Sequence, residues 1–318
     1  MFQLNTNLTC RAATTFNTAG EFDEDAYREF LQRFIDNNIG IYLASGGSGE
    51  GCSMTLEEFH RVCQVGAEVC KGRIMVGANQ PETHTPRAAL EYARLGIDAG
   101  MDIINIFGPA AWHGYKATDA EYYNYFDRIL SEVDHPVALC PNPTLGYPIN
   151  PTVISRLCNA FPQISALNLS GIYSGTKGDM FFITLRDKLE RDVPIYITFP
   201  GSVNLLDMGA AGIVPAQANI IPKTFRQYMD LYDAKKFDEL AKVYADMQRV
   251  TDFLSPWNNA GPRWIKMWLR LFKQPGGEGG TREPYLMPDD AEMAKFAEGV
   301  LSLGVPEVDE QARAAGLA

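Results

Sequence analysis

The chain has 318 residues, 46% hydrophobic and 21% charged, a balance that suits a globular protein and excludes wholesale disorder or a pure coiled coil. Its 28 basic and 39 acidic residues give a net charge of −11, and an acidic chain without a basic cluster is a poor partner for nucleic acid or an anionic membrane. The length allows two domains or a single α/β barrel with an appendage.

A first apolar run at 8–13 reads as a strand. Phe22-Asp23-Glu24-Asp25 then opens a helix with acidic residues in its first turn, where the helix dipole favours them. A second strand is predicted at 40–44. Thr55 and Glu58 have the spacing of a capping box ahead of Phe59 and Val62. A third strand is predicted at 73–77, and Thr85-Pro86 starts the next helix with proline at its first position. Apolar runs at 101–107, 136–140, 164–169, 194–199 and 212–214 bring the strand count to eight. Continuous apolar runs alternating with helices argue for buried parallel strands. Eight such units, about 25–35 residues apart, predict a closed (β/α)8 barrel rather than an open doubly wound sheet.

The remaining chain reads as helices at 222–232, 237–254, 261–272 and 288–303, with Leu240, Val243, Met247 and Val250 at helical spacing. A glycine-rich loop is expected at 274–282, and 305–318 reads as a helix or a loose tail. The expected division is a barrel over 1–220 and a helical extension over 221–318. Six cysteines without a C-x-x-C pair read as small buried thiols of a reducing cytosol. The first sixteen residues have no charged segment leading into an apolar core, and no run reaches the roughly 20 residues that span a bilayer. A soluble cytoplasmic protein is expected.

In a barrel, chemistry sits at the C-terminal ends of the strands. Ser45-Gly46-Gly47-Ser48-Gly49-Glu50-Gly51 follows the second run. Such a loop suits a tight turn, and its consecutive N–H groups can also cradle a carboxylate or phosphate.

Gly46-Gly47-Ser48-Gly49-Glu50 resembles the Gly-Thr-Thr-Gly-Glu loop of the dihydrodipicolinate synthase / N-acetylneuraminate lyase superfamily, the pyruvate-dependent class I aldolases. Val137-Ala138-Leu139-Cys140-Pro141-Asn142-Pro143 resembles that family's fifth-strand Tyr-Asn-x-Pro segment. Ile164-Ser165-Ala166-Leu167-Asn168-Leu169-Ser170-Gly171 resembles its sixth-strand segment, and Gly209-Ala210-Ala211-Gly212-Ile213-Val214 the stretch entering its eighth strand. The resemblance spans about residues 8–303 and implies a (β/α)8 barrel with a C-terminal helical extension.

The resemblance also implies a chemistry that these residues do not match. The family's nucleophile is a sixth-strand lysine whose imine with pyruvate acts as an electron sink. Asn168 stands at the matching position, and an amide cannot form an imine. Cys140 matches the family's proton-relaying tyrosine, and Gly47 matches the first threonine of its loop. Three replacements together point to a different reaction or none. Asn168 is expected to hydrogen-bond a substrate carbonyl or hydroxyl and to steady an oxyanion. Cys140 reads as a proton carrier, a nucleophile or pocket lining, each catalytic role requiring a basic neighbour. Gly47 and Ser48 are expected to hold a substrate carboxylate, with Val214 lining the pocket.

Other residues fall on the same face. The family has a tyrosine after its fourth strand that reaches a neighbouring subunit's site; His113 or Tyr115 fills that place, and imidazole titrates near neutral pH. Lys177, in a predicted loop Gly175-Thr176-Lys177-Gly178-Asp179, is either a solvated lysine or a relocated nucleophile. Lys266 reads as an ordinary helix lysine. Arg11 is expected to face an acidic substrate or to pair with Glu50. His60 and His135 read as structural, and His84 as a rim residue.

The four histidines are scattered, and neither a P-loop nor a dinucleotide fingerprint appears, so no cofactor and no metal are expected. Three readings stand open. The first is a lyase, a hydro-lyase or related, acting on a small oxo- or hydroxy-carboxylate without the lysine imine. The second is an aldolase using Lys177, and the third a non-catalytic ligand-binding barrel. Family members are usually homotetramers, so a homo-oligomer, tetramer or dimer, is expected, with a small-molecule carboxylate as ligand.

Overall fold

The computed structural model describes residues 6–111, 116–141, 150–169, 175–198, 203–257 and 261–317, the side chains of 175–178 excepted. Eight parallel strands pair in sequence order: β1 (Thr9–Arg11), β2 (Gly40–Leu43), β3 (Val76–Asn79), β4 (Ile103–Phe107), β5 (Val137–Cys140), β6 (Ile164–Leu169), β7 (Ile195–Ile197) and β8 (Gly212–Ile213). Leu8 bridges Ile213 in parallel, which closes the sheet into the (β/α)8 barrel that the alternating pattern predicts. Helices α1 (Glu24–Asp36), α2 (Leu56–Cys70), α3 (Pro86–Asp98), α4 (Asp119–Leu130), α5 (Pro151–Ala160), α6 (Gly175–Asp187), α7 (Val203–Asp207) and α8 (Pro222–Asp233) alternate with the strands. Four more follow: α9 (Phe237–Leu254), α10 (Arg263–Leu271), α11 (Asp290–Leu301) and α12 (Pro306–Ala315).

Local chemistry starts the helices where the sequence signals them. The Asp23 side chain accepts the Ala26 N–H at the head of α1. Thr55 and Glu58 exchange backbone and side-chain hydrogen bonds at 3.0 and 3.1 Å, a complete capping box on α2. Thr85 caps α3, with Pro86 at its first turn.

Two expectations need correction. The third strand starts at Val76 rather than residue 73, because the Arg73 and Ile74 N–H groups turn back to Cys70 O at the end of α2. Pairing with β2 therefore begins at Val76, and Asn79 becomes a strand residue. The stretch from Gly175 to Asp179 is the first turn of α6 rather than a loop. Of the two readings of the last segment, the helix holds: Pro306–Ala315 form α12.

Strand alternation splits the apolar residues into two layers. Ile41, Leu43, Val76, Ala78, Ile104, Ile106, Leu139 and Leu167 pack outward with the helices. Tyr42, Ile103, Ala138, Ala166, Tyr196 and Val214 form a separate cluster inside the barrel. Two residues further along their strands, on the same inward face, stand Asn105, Cys140 and Asn168. The polar residues of the barrel interior thus lie at the end where barrels carry chemistry.

Candidate active site

A chain of three buried amides crosses the barrel. Asn79 Nδ2 donates to Leu43 O at 3.3 Å, Asn105 Nδ2 to Asn79 Oδ1 at 2.7 Å, and Asn168 Nδ2 to Asn105 Oδ1 at 2.7 Å. Strand register makes this possible: Asn79 and Asn105 are paired neighbours on β3 and β4. Tyr42 borders the end of the chain. Burial pushes its hydroxyl up to about 12, against the pull of the Asn168 amide and of the Arg11 guanidinium. Asn168 Oδ1 is buried and has no hydrogen-bond partner among the described residues, while Tyr42 Oη is buried against the Asn168 amide.

Arg11 reaches from β1 to β5, where Nη2 donates to Cys140 Sγ at 3.3 Å. Its guanidinium carbon lies 5.7 Å from the Phe107 ring centroid. Cys140 is buried, so its sulfur meets a cation in a space shielded from bulk water. Arg11 is thus a cationic neighbour of the Cys140 thiol, of the kind that lowers a thiol pKa.

The loop after β2 closes on itself. Gly49 N donates to Ser45 Oγ at 3.1 Å, Gly51 N to Ser45 O at 2.8 Å, and Glu50 N to Gly47 O at 3.1 Å. Ala44 and Glu50 both take left-handed backbone, with φ of 51° and 55°, at the two ends of the loop. A Cβ at Gly46 would lie 1.7 Å from Glu82 Oε2, so a side chain there would displace the Glu82 carboxylate. Cys52 Sγ donates to that same oxygen at 2.9 Å. Gly47 and Ser48 are half-buried at the crest of the loop.

Glu50 pairs with Lys266, not with Arg11. Lys266 Nζ stands 3.4 Å from Glu50 Oε1, with both side chains fully buried. The same ammonium donates to Gly280 O at 3.0 Å and to Thr14 O. Lys266 is thus far from the ordinary helix lysine expected. Burial lowers its pKa and raises that of Glu50, and the mutual attraction opposes both shifts. Arg282 adds a second tie: its N–H donates to Glu50 Oε2 at 2.8 Å, and its guanidinium to Gly20 O, Ser53 O and Glu58. The segment after α10 thereby holds the rims that follow β1 and β2.

Asn168 and Cys140, expected in the site, come together inside the barrel. Val214 belongs to the apolar layer beneath them, its N–H donating to Ile197 O at 2.8 Å. His113 and Tyr115 lie outside the described residues. The Lys177 backbone is on the first turn of α6, and its side chain is likewise outside them. His60 pairs with Asp98 at 2.9 Å, His135 contacts Met101 O at 2.9 Å, and His84 contacts Ala110 O at 2.8 Å. Five cysteines are buried as expected, while Cys52 is exposed because the turn after the loop carries it to the surface beside Glu82. Sequence reasoning missed Tyr42, Asn79 and Asn105. A signal existed for the asparagines, polar residues set inside apolar runs at inward strand positions.

A cavity of about 730 Å³ opens at the other end of the barrel, beside Arg186, Arg191, Arg226 and Asp230. Arg191 is spent on the carbonyls of Cys158, Phe161 and Ile164, and Arg226 on Asn7 and Asp230. That end of a barrel serves stability rather than chemistry. Among the described residues, no group of three His, Cys, Asp or Glu side chains converges on a metal position, and no helix is long and apolar enough to cross a membrane.

The model of the Dihydrodipicolinate synthetase family matches residues 5–300. A 4-hydroxy-tetrahydrodipicolinate synthase of Nitratiruptor sp. is 29% identical over 256 residues, 79% of this chain and 83% of its own length. One from Methanococcus maripaludis is 26% identical over 290 residues, 89% of this chain and 93% of its own. Among solved structures, a dihydrodipicolinate synthase of Bacillus anthracis gives a TM-score of 0.81 at 21% identity, covering 94% of this chain and 99% of that one. An E. coli K12 prophage protein of the dihydrodipicolinic acid synthase family, solved in complex with pyruvate, gives 0.82 at 16% identity, covering 95% and 99%. These structural likenesses bear on the fold. With its sequence matched over nearly its whole length, the chain belongs to the dihydrodipicolinate synthetase family.

Proposed function

We propose that the protein is a lyase, a hydro-lyase or a close relative of one, that acts on a small oxo- or hydroxy-carboxylate without an imine to lysine. Asn168 takes the place of the family's sixth-strand lysine in this reading. The observation that carries it is the contact of Arg11 with Cys140 at 3.3 Å in the same buried cluster as Asn168 and Tyr42. A cation beside a thiol stabilises the thiolate, the form in which sulfur can take a proton. Arg11 also balances the negative charge of a carboxylate substrate, which an apolar barrel interior alone would repel.

The roles follow. Gly47 and Ser48 hold the carboxylate at the rim through N–H groups and the Ser48 hydroxyl. Cys140 takes a proton from the carbon next to the carboxylate. Hydroxide leaves the neighbouring carbon, takes up a proton from His113 or Tyr115, and departs as water, so one water is lost for each double bond formed. Val214 lines the apolar floor. Neither a cofactor nor a metal enters these steps. The protein is read as a cytoplasmic homo-oligomer, tetramer or dimer, which light scattering tests.

Lys177 supports a second reading by its place on the first turn of α6, directly after the segment that leaves β6 at the mouth. Borohydride treatment with pyruvate or other 2-oxo acids, followed by intact mass, separates the two. The first reading expects no adduct, together with loss of water from members of a hydroxy-carboxylate panel. A stable adduct mapped to Lys177 replaces it with the aldolase reading. Melting shifts with carboxylates but without turnover would leave a ligand-binding barrel.

A further inference from the structure

The three amides have a fixed polarity. A backbone carbonyl only accepts, so Leu43 O forces Asn79 to present its Nδ2. Asn79 Oδ1 is then left to accept from Asn105, and Asn105 Oδ1 to accept from Asn168. Each link dictates the next, and the chain ends on Asn168 Oδ1, an acceptor that is buried and has no described partner. A reversed Asn168 would set its carbonyl against the Asn105 carbonyl.

We infer that the site selects a hydroxy acid over the matching oxo acid, because Asn168 offers the ligand an acceptor and so demands a donor. This rests on the carboxylate reading above and narrows it. A hydroxyl group can donate to Asn168 Oδ1; the carbonyl of an oxo acid cannot, and leaves that buried oxygen unsatisfied. The donor is a neutral hydroxyl rather than an ammonium. Arg11 already places a cation beside Cys140 and Tyr42, and none of the eight strands contains Asp or Glu to balance a second. Tyr42 Oη, buried beside the Asn168 amide, supplies a further polar contact to the same ligand. Asn79 and Asn105 are positioning residues that set which atom of Asn168 faces the ligand.

The test uses the full chain and two matched pairs of probes, lactate with pyruvate and glycerate with hydroxypyruvate, titrated by calorimetry. The hydroxy acid of each pair is expected to bind at least about tenfold more tightly, the consequence of one unsatisfied buried acceptor. Asn79→Ala removes the anchor on Leu43 O and frees the amides to reverse, so the preference should fall toward one while the melting curve still shows a folded protein. Asn105→Ala cuts the same chain one link on and carries the same expectation should Asn79→Ala fail to fold. Equal binding, or tighter binding of the oxo acids, overturns the inference and leaves the carboxylate reading intact. A preference that survives in both folded variants overturns it as well. Binding of none of the four probes removes the carboxylate reading itself, and the inference falls with it.

Discussion

Lys266 Nζ and Glu50 Oε1 lie 3.4 Å apart with both side chains fully buried, and so couple α10 to the loop after β2. A buried pair of this kind adds little net stability, yet breaking it leaves an uncompensated charge. Lys266→Met should destabilise the protein by about 3–5 kcal/mol, read from urea unfolding. Adding Glu50→Gln should recover part of that loss. Losses that simply add would show that the two groups act independently.

The Arg282 guanidinium beside Glu58, hydrogen-bonded to it, holds that carboxyl below the usual carboxylate range, with burial opposing. A carboxyl with a lowered folded pKa stabilises the protein above its unfolded value of about 4.3, and that stability fades as pH falls through the folded value. Wild type should therefore be more stable than Glu58→Gln at pH 7, by about 1 kcal/mol, and the difference should shrink toward zero below pH 4. Thermal melts across pH 3–7 check this, and a difference that stays constant would rule out the ion pair as its source.

Glu307 of α12 caps α8 from outside it. Its carboxylate accepts from Lys223 N at 3.2 Å, Thr224 N at 2.7 Å and Thr224 Oγ1 at 2.6 Å. Ile221, the residue before α8, supplies no side-chain cap, so these donors depend on Glu307. Glu307→Ala should cost about 1–3 kcal/mol, read by denaturant melting. Hydrogen exchange should quicken first in the opening turn of α8.

Arg11→Met removes the cation beside Cys140 while keeping much of the side chain's bulk. Turnover of a hydroxy-carboxylate should drop on the order of a hundredfold, as expected when a preorganised charge is lost from an active site. Arg11→Lys should recover little, because an ammonium lacks the planar fork that bridges β1 to β5. Steady-state kinetics with parallel melting curves test both variants. Unchanged kcat/KM in Arg11→Met would place Arg11 outside the chemistry.

The fold was legible because its signals are local. The Thr55–Glu58 box and the Thr85-Pro86 start are spacings of one helical turn, and β6 matches its apolar run from Ile164 to Leu169. The site was less legible because closure of the barrel assembles it. Arg11 meets Cys140 from 129 positions away, and Asn168 meets Asn105 from 63. No window of sequence holds both partners. The displaced start of β3 shows the same limit on a smaller scale. Two N–H groups bonded back to α2 shift the strand, and Asn79 joins the interior only through that shift. Lys266 did carry a signal, since it sits among Trp264, Ile265, Met267 and Trp268, all buried.

The amide chain also bears on how the barrel assembles. Asn168 on β6 finds its partner only once β4 has presented Asn105, which needs β3, which needs the carbonyl at the end of β2. A slip of one residue in any of these strands would turn an amide into the greasy layer beneath the helices. Half-built barrels would therefore hold naked amides, and only the complete ring relieves them. The backbone N–H groups of β2, β3, β4 and β6 should consequently exchange with solvent as one unit, at the rate of whole-molecule opening.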